Sequence, residues 1–588
     1  MLKRVGAAMA VAALVCASTA ACGPAAAPGS GASSAATAVA AASPRAALFA
    51  DAEREQAQIS PDGKWLSYLD RRAGKRTLTA APLSDRVDTR VIAEGARDYF
   101  WSADGAFIVY RAQDGGAWHA VDLLATGADR VLLAEPDARP FPVSPARAGQ
   151  VAFALGADLY EIDIRTGART NLFRNRAGFS AFLLDARNRP VVGLKRLPAG
   201  DVEITALNGA PRKLLIVHAA DAPDARLIAA APDGGSFLLL STFGRKHAAL
   251  MRVDLGSGAM ISVAQDEQAD VNAVWRTPST GEVEAYAVAN FNPRWTPLNQ
   301  IAAADLALLK QNLQAFEIVS RSADNTRWIV REQTPSLAPR VWLYDRAAKK
   351  FERLFSEHPP LDGSAFATPK RLTIPTRDGG GFDGALFLRD DATDALVVLL
   401  REPDAPPFGA FDADAQYFTD LGYAVLEARA GAGAVAELSR WAIGQHLAAA
   451  GKNIALIGER AALASLPLKG DFGCAVLVDS PPYAANLPDA GTEKILFVRR
   501  GAAIEDEKPS FAAQAYFPDE TQSFARAENR IAFYALAGAF VSGCLGKDVA
   551  PIGGDLRNSS LKIVSGQVLI PTLGAAMAPR ETEAGAPP

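Results

Sequence analysis

Histidine and cysteine are both scarce in this chain of 588 residues. Five histidines are spread along it, and none follows His446. The four cysteines include no C-x-x-C pair, and no group of histidines and cysteines has the spacing of a zinc site. The sequence therefore predicts no metal centre, and we expect no cofactor.

An excess of charge of either sign is also missing. The 61 basic and 65 acidic residues leave a formal net charge of −4, and no polybasic run stands out. Nucleic-acid binding requires a basic surface, so this composition argues against it. The 49% of hydrophobic and 21% of charged residues are typical of a globular protein, and the length predicts two large domains.

The N-terminal apolar run is too short to span a membrane. It covers residues 5–15, whereas a spanning helix needs about 20 apolar residues. Lys3 and Arg4 precede the run, and small residues then lead to Cys22, as in a secretory signal peptide. The stretch resembles a bacterial lipoprotein signal, in which that cysteine is lipidated. Thr19 stands where the pattern prefers leucine, so ordinary cleavage nearby stays an alternative.

We therefore predict an exported protein of the periplasm or cell envelope, held to a membrane by lipid on Cys22. Residues 1–21 form the predicted signal peptide, and residues 22–46 form a flexible tether rich in Ala, Ser, Gly and Pro. Cys474 and Cys544 could pair in an oxidising compartment. Two buried free thiols are the simpler interpretation, and this is what we expect.

Residues 47–358 contain seven copies of a turn followed by a strand of alternating apolar residues. The first two read SPDG before KWLSYL and SADG before AFIVY. The copies begin at Ser60, Ser102, Ser144, Asp185, Ala231, Thr277 and Ser322. A period in the low forties fits one four-stranded blade, which predicts a seven-bladed β-propeller. The aspartates are expected to hydrogen-bond their own turns rather than a metal.

Short apolar strands alternate with helices after residue 358. The strands read ALVVLL, YAVLEA, NIALIG, CAVLVDS and KILFVR, and the helices AQYFTDLG, ELSRWAIGQHLAAAG and NRIAFYALAGAFVSGCL. This alternation predicts a parallel sheet with helices on both faces over residues 359–548. Residues 549–588 form a predicted C-terminal tail with an ordered fragment, at most, around LKIVSGQVLI.

A propeller of SPDG-type repeats followed by such a domain resembles the prolyl oligopeptidase family of serine peptidases. The resemblance covers nearly the whole mature chain and includes the segments RLTIPTRDG, YFTDLGYAVLEAR and ENRIAFYALAGAFVSGCLG. It implies a seven-bladed β-propeller followed by an α/β-hydrolase domain. It also implies a catalytic Ser, Asp and His in the second domain, in that chain order.

The catalytic positions of that family are substituted in this sequence. Its elbow motif, G-x-S-x-G, maps onto residues 458–462 and places Arg460 at the serine. The aspartate position falls at Ala502 or Ala503, and the histidine position at Gln522. An arginine has no acceptor lone pair and stays protonated, so it cannot attack a carbonyl carbon. Arg460 and its neighbour Glu459 are expected to be solvated charges on a turn.

The segment that shapes the oxyanion side of the site in that family is also changed. His-Gly-Gly-Pro is replaced by Arg401, Glu402, Pro403 and Asp404. Because no histidine follows His446, the chain has no general base in the order that this fold requires.

Replacement catalytic residues can be nominated, but no spacing supports them. His446 is expected to be a packed or partly exposed residue of the helix before the elbow strand. Glu505 or Asp506 could supply the acid only if the alignment slides. The serines to consider are Ser465 and Ser480, with Lys452 or Lys494 as the base.

The sequence thus predicts a catalytically inactive pseudoenzyme that binds a peptide or an envelope protein through the propeller cavity or the former cleft. The competing hypothesis is an active serine-type peptidase or isopeptidase that processes peptides in the periplasm. A third is a structural envelope lipoprotein without a ligand.

Overall fold

The computed structural model describes most of the chain from residue 44 onward. The described ranges are 44–72, 74–113, 115–123, 129–288, 293–389, 394–401, 409–429, 435–459, 471–479, 494–502, 512–548 and 551–578. The predicted signal peptide and Cys22 lie outside them. Within these ranges, no helix has the length and apolarity that crossing a membrane requires.

Seven small antiparallel sheets follow one another in the first part of the described chain. Six have four strands and one has three, and each is built from strands that are consecutive in the sequence. The second strand of every sheet begins just after one of the seven turns found in the sequence. The seven-bladed propeller is therefore confirmed, including its weakest repeats at Asp185 and Thr277.

The first four blades each contain four strands in chain order. Blade 1 has β1 (Arg54–Ile59), β2 (Trp65–Arg72), β3 (Lys75–Pro82) and β4 (Arg90–Glu94). Blade 2 has β5 (Ala96–Trp101), β6 (Phe107–Ala112), β7 (Trp118–Asp122) and β8 (Asp129–Leu133). Blade 3 has β9 (Arg139–Pro140), β10 (Gln150–Leu155), β11 (Asp158–Asp163) and β12 (Arg169–Phe173). Blade 4 has β13 (Ala181–Leu184), β14 (Pro190–Arg196), β15 (Val202–Ala206) and β16 (Arg212–Val217).

The remaining blades follow the same plan, with an exception in the sixth. Blade 5 has β17 (Arg226–Ala230), β18 (Ser236–Ser241), β19 (Ala249–Asp254) and β20 (Met260–Ala264). Blade 6 has β21 (Val271–Arg276), β22 (Val283–Val288) and β23 (Arg294–Pro297). Helix α1 (Pro44–Phe49) precedes the propeller, and α2 (Gln300–Asn312) follows β23. Blade 7 has β24 (Phe316–Arg321), β25 (Arg327–Thr334), β26 (Leu337–Asp345) and β27 (Lys350–Ser356).

A serine and an aspartate close three of the repeated turns by hydrogen bonds. In the first turn the Ser60 hydroxyl donates to Asp62 Oδ1 at 2.6 Å and accepts from the Trp65 amide at 2.9 Å. The same pair of bonds recurs in the turns that begin at Ser102 and Ser322. Each aspartate thus closes its own turn, as the sequence predicts.

Side chains between the blades form the propeller core. In blade 2 the indole ring of Trp118 meets Phe153 of blade 3 edge to face, with ring centroids 5.3 Å apart. Such a pair contributes about 1 kcal/mol beyond the area it buries. Neighbouring first strands also lie against one another, at β13 and β17 and at β1 and β24, as expected if they line the central axis.

Blades 1 and 7 meet without sharing a sheet among the described strands. Their junction is made by turns instead. The Ala323 amide donates to the Pro61 carbonyl at 2.8 Å. Arg327 Nη1 donates to the Gly63 carbonyl at 2.6 Å. The Gly63 backbone has a φ of 73°, a left-handed conformation that glycine adopts without strain.

Helix α2 stands where the other blades have a fourth strand. The Asn299 side chain caps its first turn by accepting from the Ala302 amide at 2.8 Å. The helix then buries Leu306 and Leu309 in one cluster with Trp275 and Trp328. This apolar face explains why a helix can close blade 6 against blade 7.

The second domain is built on one nine-stranded sheet of the order β28-β29-β31-β30-β32-β33-β34-β35-β36. Its strands are β28 (Lys370–Pro375), β29 (Gly381–Phe387), β30 (Leu396–Arg401), β31 (Ala424–Arg429), β32 (Ile454–Glu459), β33 (Cys474–Val478), β34 (Lys494–Arg500), β35 (Ala512–Phe517) and β36 (Lys562–Ser565). The six strands from β30 to β35 are parallel, and β28, β29 and β36 join them antiparallel. The α/β-hydrolase part of the fold is therefore confirmed.

Helices cover both faces of this sheet. They are α3 (Ala413–Asp420), α4 (Val435–Gly444), α5 (Ala527–Leu545) and α6 (Leu573–Met577). One face packs on α3 and α5, with Phe418 and Phe540 fully buried. The other face packs on α4 through Val435, Leu438 and Ala442. Two buried faces explain why the parallel strands read as continuous apolar runs.

Segments from both ends of the described chain complete this domain. In α1, Phe49 stacks on Tyr534 with ring centroids 3.8 Å apart, and Arg45 Nε donates to Asp555 Oδ2 at 2.6 Å. Residues 44–46, which the sequence assigns to the tether, lie in this helix. Strand β36, in the predicted tail, pairs with β35 and extends the sheet.

The two cysteines of the mature domains form a disulfide, so the expectation of free thiols is wrong. Cys474 begins β33 and Cys544 lies in the last turn of α5, with their Cα atoms 6.4 Å apart. The pairing depends on α5 crossing the face of the sheet towards which Cys474 points, and residue spacing does not encode that crossing.

Candidate functional site

The carboxyl ends of the parallel strands form the edge at which this fold places its functional groups. Charged residues stand there, among them the following four. Arg401 ends β30, Glu459 ends β32, Asp479 follows β33 and Arg500 ends β34. Because the strands are parallel and adjacent, these residues share one edge of the sheet.

Arg500 connects three strand ends. Its Nε donates to Asp479 Oδ2 at 2.6 Å, and its backbone amide donates to Asp479 Oδ1 at 2.8 Å. Its Nη2 donates to Glu459 Oε2 at 2.9 Å. Only 2% of the Arg500 side chain is exposed. We call Arg500, Asp479 and Glu459 the Arg500 cluster.

Both carboxylates of the Arg500 cluster are held by this one cation. Burial lowers the pKa of Arg500, but Asp479 and Glu459 outweigh burial and raise that pKa above its ordinary value. Asp479 has a φ of 49°, which is uncommon for a residue other than glycine. Its two bonds to Arg500 support that conformation. The cluster therefore fixes the strand ends on either side of β33.

Glu459 differs from its prediction. The sequence predicts a solvated charge on a turn, but Glu459 is the last residue of β32, and its half-exposed carboxylate binds Arg500. The difference arises because Arg500 is distant in sequence but lies only two strands from Glu459 in the sheet, across β33. Arg460, the next residue, lies outside the described residues.

Arg401, at the end of β30 next to β32, forms a second cluster. Its guanidinium contacts Asp412 at 2.8 Å, Asp414 at 3.0 Å and Glu427 at 3.1 Å. Asp412 also caps α3 by accepting from the Ala415 amide at 2.8 Å. We call Arg401 and its three carboxylates the Arg401 cluster.

The Arg401 cluster has more carboxylates than one cation can neutralise. Burial, with the charge of Asp412 adding to it, raises the pKa of Glu427 to about 7 although Arg401 opposes the shift. Burial likewise raises the pKa of Asp414. Burial lowers the pKa of Arg401, but the carboxylates reverse this and raise it well above its ordinary value. Both shifts favour the protonated form of these two carboxyl groups over that of ordinary carboxyl groups.

The catalytic positions implied by the family resemblance lie partly in the described chain. Ala502 is exposed and follows Gly501 at the end of β34, and Gln522 is exposed in the connection between β35 and α5. Neither side chain can act as a carboxylate or a general base. The other positions of the predicted site, Arg460, Ala503 and Glu402–Asp404, fall outside the described residues, as do Ser465 and Ser480.

The nominated bases do not reach this edge. Lys494 is the first residue of β34 and Lys452 precedes β32, so both stand at the amino ends of their strands. At about 3.3 Å per residue, a seven-residue strand separates Lys494 from the opposite edge by about 20 Å. His446 is exposed in the turn after α4, with a φ of 59°, so its predicted place within the helix is wrong. Gly444 ends that helix two residues earlier.

The chemistry available at the described edge is ion pairing. Arg401 and Arg500 occupy the carboxylates, and no group of three or more His, Cys, Asp or Glu in the described ranges could hold a metal ion. Sequence reasoning missed Arg500 altogether. The only local sign is the pair of arginines that ends an otherwise apolar strand, KILFVRR.

Comparison with known proteins finds a curated relative. The chain is 28% identical to dipeptidyl aminopeptidase BIII of Pseudoxanthomonas mexicana, over 91% of this chain and 93% of that protein. No family model matches the chain.

Solved structures share the fold. The puromycin-hydrolyzing peptidase of Mycobacterium tuberculosis has a TM-score of 0.64 at 14% identity, covering 86% of this chain and 96% of that one. The acylaminoacyl peptidase of Pyrococcus horikoshii has a TM-score of 0.54 at 12% identity, covering 78% of this chain and 87% of that one. At such identities the likeness concerns the fold alone. The family resemblance seen in the sequence is confirmed, both in sequence similarity and in domain order.

Proposed function

We propose, because this chain resembles the prolyl oligopeptidase-type serine peptidases in sequence and in fold, that it is a pseudoenzyme that has kept the scaffold and lost the hydrolysis. Its function would be to bind a peptide or a protein partner in the bacterial cell envelope. The single observation that carries the proposal is the loss of all three catalytic side chains, together with the absence of any histidine after His446.

Each lost group removes a separate step of serine hydrolysis. The nucleophile must be a hydroxyl, a base must accept its proton, and an acid must orient the base. The matching positions hold Arg460, Ala502 or Ala503, and Gln522. No single reversion supplies all three groups, so inactivity would not depend on one substitution.

The Arg500 cluster supports the proposal from the structural side. Arg500 lies two residues before Ala502 and pairs with Glu459, which directly precedes Arg460. In an active relative these two strand ends carry the acid and the nucleophile. In this protein an ion pair joins them, which favours a role in stability at this edge.

A second candidate function is an active peptidase of the aminopeptidase type. It is favoured by the similarity to dipeptidyl aminopeptidase BIII, which extends over both domains. This candidate needs an unrecognised nucleophile, and Ser465 and Ser480 are the first serines to test.

Export and lipid anchoring are part of the proposal. They rest on the N-terminal pattern that ends at Cys22 and on the disulfide between Cys474 and Cys544, which is compatible with an oxidising compartment. An envelope lipoprotein without any ligand remains the competing hypothesis.

Activity-based labelling tests the loss of hydrolysis. We expect the purified mature protein to give no reaction with a fluorophosphonate probe and no turnover of dipeptidyl p-nitroanilides. Arg460→Ser alone should stay inactive, because its hydroxyl has no base. The variant to compare with it is the triple variant Arg460→Ser with Ala502→Asp and Gln522→His, which places all three catalytic side chains at the matching positions.

The outcome that contradicts the proposal is labelling of the wild-type protein at one serine, lost after heat denaturation and in the corresponding Ser→Ala variant. Partner binding is tested separately, by capture from envelope extract on the mature protein and on a heat-denatured control. No enrichment over that control would favour the ligand-free hypothesis.

A further inference from the structure

Blades 6 and 7 enclose a pocket whose residues lie far in sequence from the charged edge of the second domain. Its volume is about 340 Å³, and residues of β21 and β24 line it near the ends of these first strands. The lining combines apolar Val274, Ile318 and Val319 with polar Arg276, Ser320 and Arg321. The pocket therefore lies between two neighbouring blades, beside the carboxyl ends of their first strands.

Arg321 forms the inner wall of the pocket and is held in place. Its Nη1 lies 3.6 Å from Glu284 Oε2 and donates to Asn325 Oδ1 at 3.3 Å. Its Nη2 donates to the Arg276 carbonyl oxygen. The side chain is only 16% exposed. Arg321 is therefore a fixed cation with one nearby carboxylate.

Arg276 is the second cation of the pocket. Among the residues that the structure describes, none forms a hydrogen bond or an ion pair with its guanidinium, although the residue is half-buried. The neighbouring Arg346 is neutralised by Asp305, at 2.6 Å. Three arginines thus face two carboxylates, and Arg276 carries the uncompensated charge.

The pKa shifts of these arginines agree with this excess of positive charge. Burial lowers the pKa of Arg276. Burial also lowers the pKa of Arg321 to about 10, with the repulsion of Arg276 and Arg346 adding to it and Glu284 opposing it. A half-buried cation without a partner is costly, and an anion placed beside it would remove that cost.

We propose that this pocket binds a carboxylate that carries an apolar group, as found at the C-terminus of a peptide. The planar guanidinium of Arg276 offers two parallel N–H donors, which match a carboxylate. Val274, Ile318 and Val319 offer apolar surface beside it, and the volume exceeds what a bare anion fills. The inference rests on the binding part of the proposed function and names its ligand chemistry.

The test compares the binding of a small carboxylate probe and of its uncharged amide analogue to the full mature protein. N-acetyl-leucine carries the carboxylate and the apolar side chain, and N-acetylleucinamide differs only in lacking the charge. We expect calorimetry or ligand-observed NMR to show binding of the acid at least about tenfold tighter than the amide, as expected for a charge-assisted hydrogen bond. Equal binding of both, or of neither, would overturn the proposal.

Variants then assign the site. Arg276→Gln should weaken the acid about tenfold or more and leave the amide unchanged, whereas Arg276→Lys should retain part of the affinity. The matched control is Arg252→Gln, an exposed arginine on β19 of blade 5. Unchanged affinity in Arg276→Gln, with an unfolding curve like that of the wild type, would overturn the assignment.

Competition by inorganic phosphate distinguishes a carboxylate site from a general anion site. It should compete poorly, because it has no apolar group to place against Val274 and Ile318. Competition by phosphate as strong as by the acid would overturn the carboxylate assignment. Fluorophosphonate labelling does not use this pocket's chemistry, and partner capture does not use the leucine probes, so the failure of either is read independently of this titration.

Discussion

Arginine is the residue around which the functional edge of the second domain is organised. Arg401 faces three carboxylates and Arg500 faces two, and each ends a strand of the parallel sheet. A guanidinium can bond several carboxylates at once because its donors lie in one plane. Each arginine therefore ties together segments that the sequence separates.

Removal of Arg500 should destabilise the second domain. In Arg500→Met the carboxylates of Asp479 and Glu459 lose the guanidinium that they share, and Asp479, with its left-handed backbone, keeps only the bond from the backbone amide of residue 500. Breaking a buried pair from one side costs about 3 kcal/mol. We expect a fall of that size in the free energy of unfolding, measured from urea curves, and a smaller fall in Arg500→Lys.

An exposed arginine provides the control. Arg526 pairs with Asp519 and Glu528, but its side chain is 52% exposed. Arg526→Gln should cost less than about 1 kcal/mol, since solvent screens such pairs. Equal losses in Arg500→Met and Arg526→Gln would show that burial of Arg500 has no energetic consequence.

Stability should depend on pH through Glu427. Burial and the nearby Asp412 raise its pKa in the folded state to about 7, above the ordinary value of about 4.3. The folded protein thus holds this proton more tightly than the unfolded chain does. The resulting stabilisation is present below about pH 4 and is lost as pH rises through about 7.

Glu427→Gln isolates this contribution, because glutamine keeps an acceptor for Arg401 without the charge. We expect the variant to gain stability relative to the wild type as pH rises from about 5 to about 8, by up to about 3 kcal/mol. Urea unfolding of both proteins at several pH values measures the difference. A difference that does not vary with pH would mean that Glu427 titrates normally.

At the scale of elements, sequence patterns predict what local physics determines. The repeated turns locate the second strand of every blade, and in those that begin at Ser60, Ser102 and Ser322 a serine and an aspartate close the turn within a few residues. Continuous apolar runs likewise locate the buried parallel strands. The sequence predicts too long a helix before the elbow strand, because His446 can adopt a positive φ and leave the helix.

The candidate site could be predicted only in part. Substitutions at the catalytic positions can be read from the chain alone. The Arg500 cluster could not, since it joins residues 41 and 21 positions apart along the chain through pairing of β32, β33 and β34. The same limit applies to Arg276 and Arg321, which belong to different blades.

The disulfide is the covalent link between two elements, β33 and α5. Cys474 and Cys544 are 70 residues apart, so the crosslink restricts the unfolded chain by about 4 kcal/mol in the loop-entropy description. We expect Cys474→Ala with Cys544→Ala to lower the midpoint of thermal unfolding. The wild-type protein unfolded with dithiothreitol present should show the same decrease.

Thiol counting provides the check on the pairing itself. Denatured mature protein, produced with export, should show no free thiol from these two cysteines before reduction and two afterwards. Two free thiols before reduction would restore the expectation drawn from the sequence.

At the scale of the whole molecule, we expect lipid on Cys22. Metabolic labelling with an alkyne fatty acid should mark the wild-type protein and fail to mark Cys22→Ala, since the thiol is the attachment point. Membrane fractionation of both proteins gives a second measurement. Equal labelling of both would place the lipid elsewhere, and none in either would contradict lipid anchoring.

The contact between Arg45 and Asp555 constrains the order in which the chain folds during synthesis, because the two residues are separated by 510 positions. Each blade consists of consecutive strands and can form as soon as its own stretch has emerged from the ribosome or the export channel. Helix α1 emerges before all of them, yet its partners on α5 and beyond emerge after them. The earliest described helix, α1, can therefore pack only after the segments of all seven blades have been synthesised. Its packing marks the completion of the second domain.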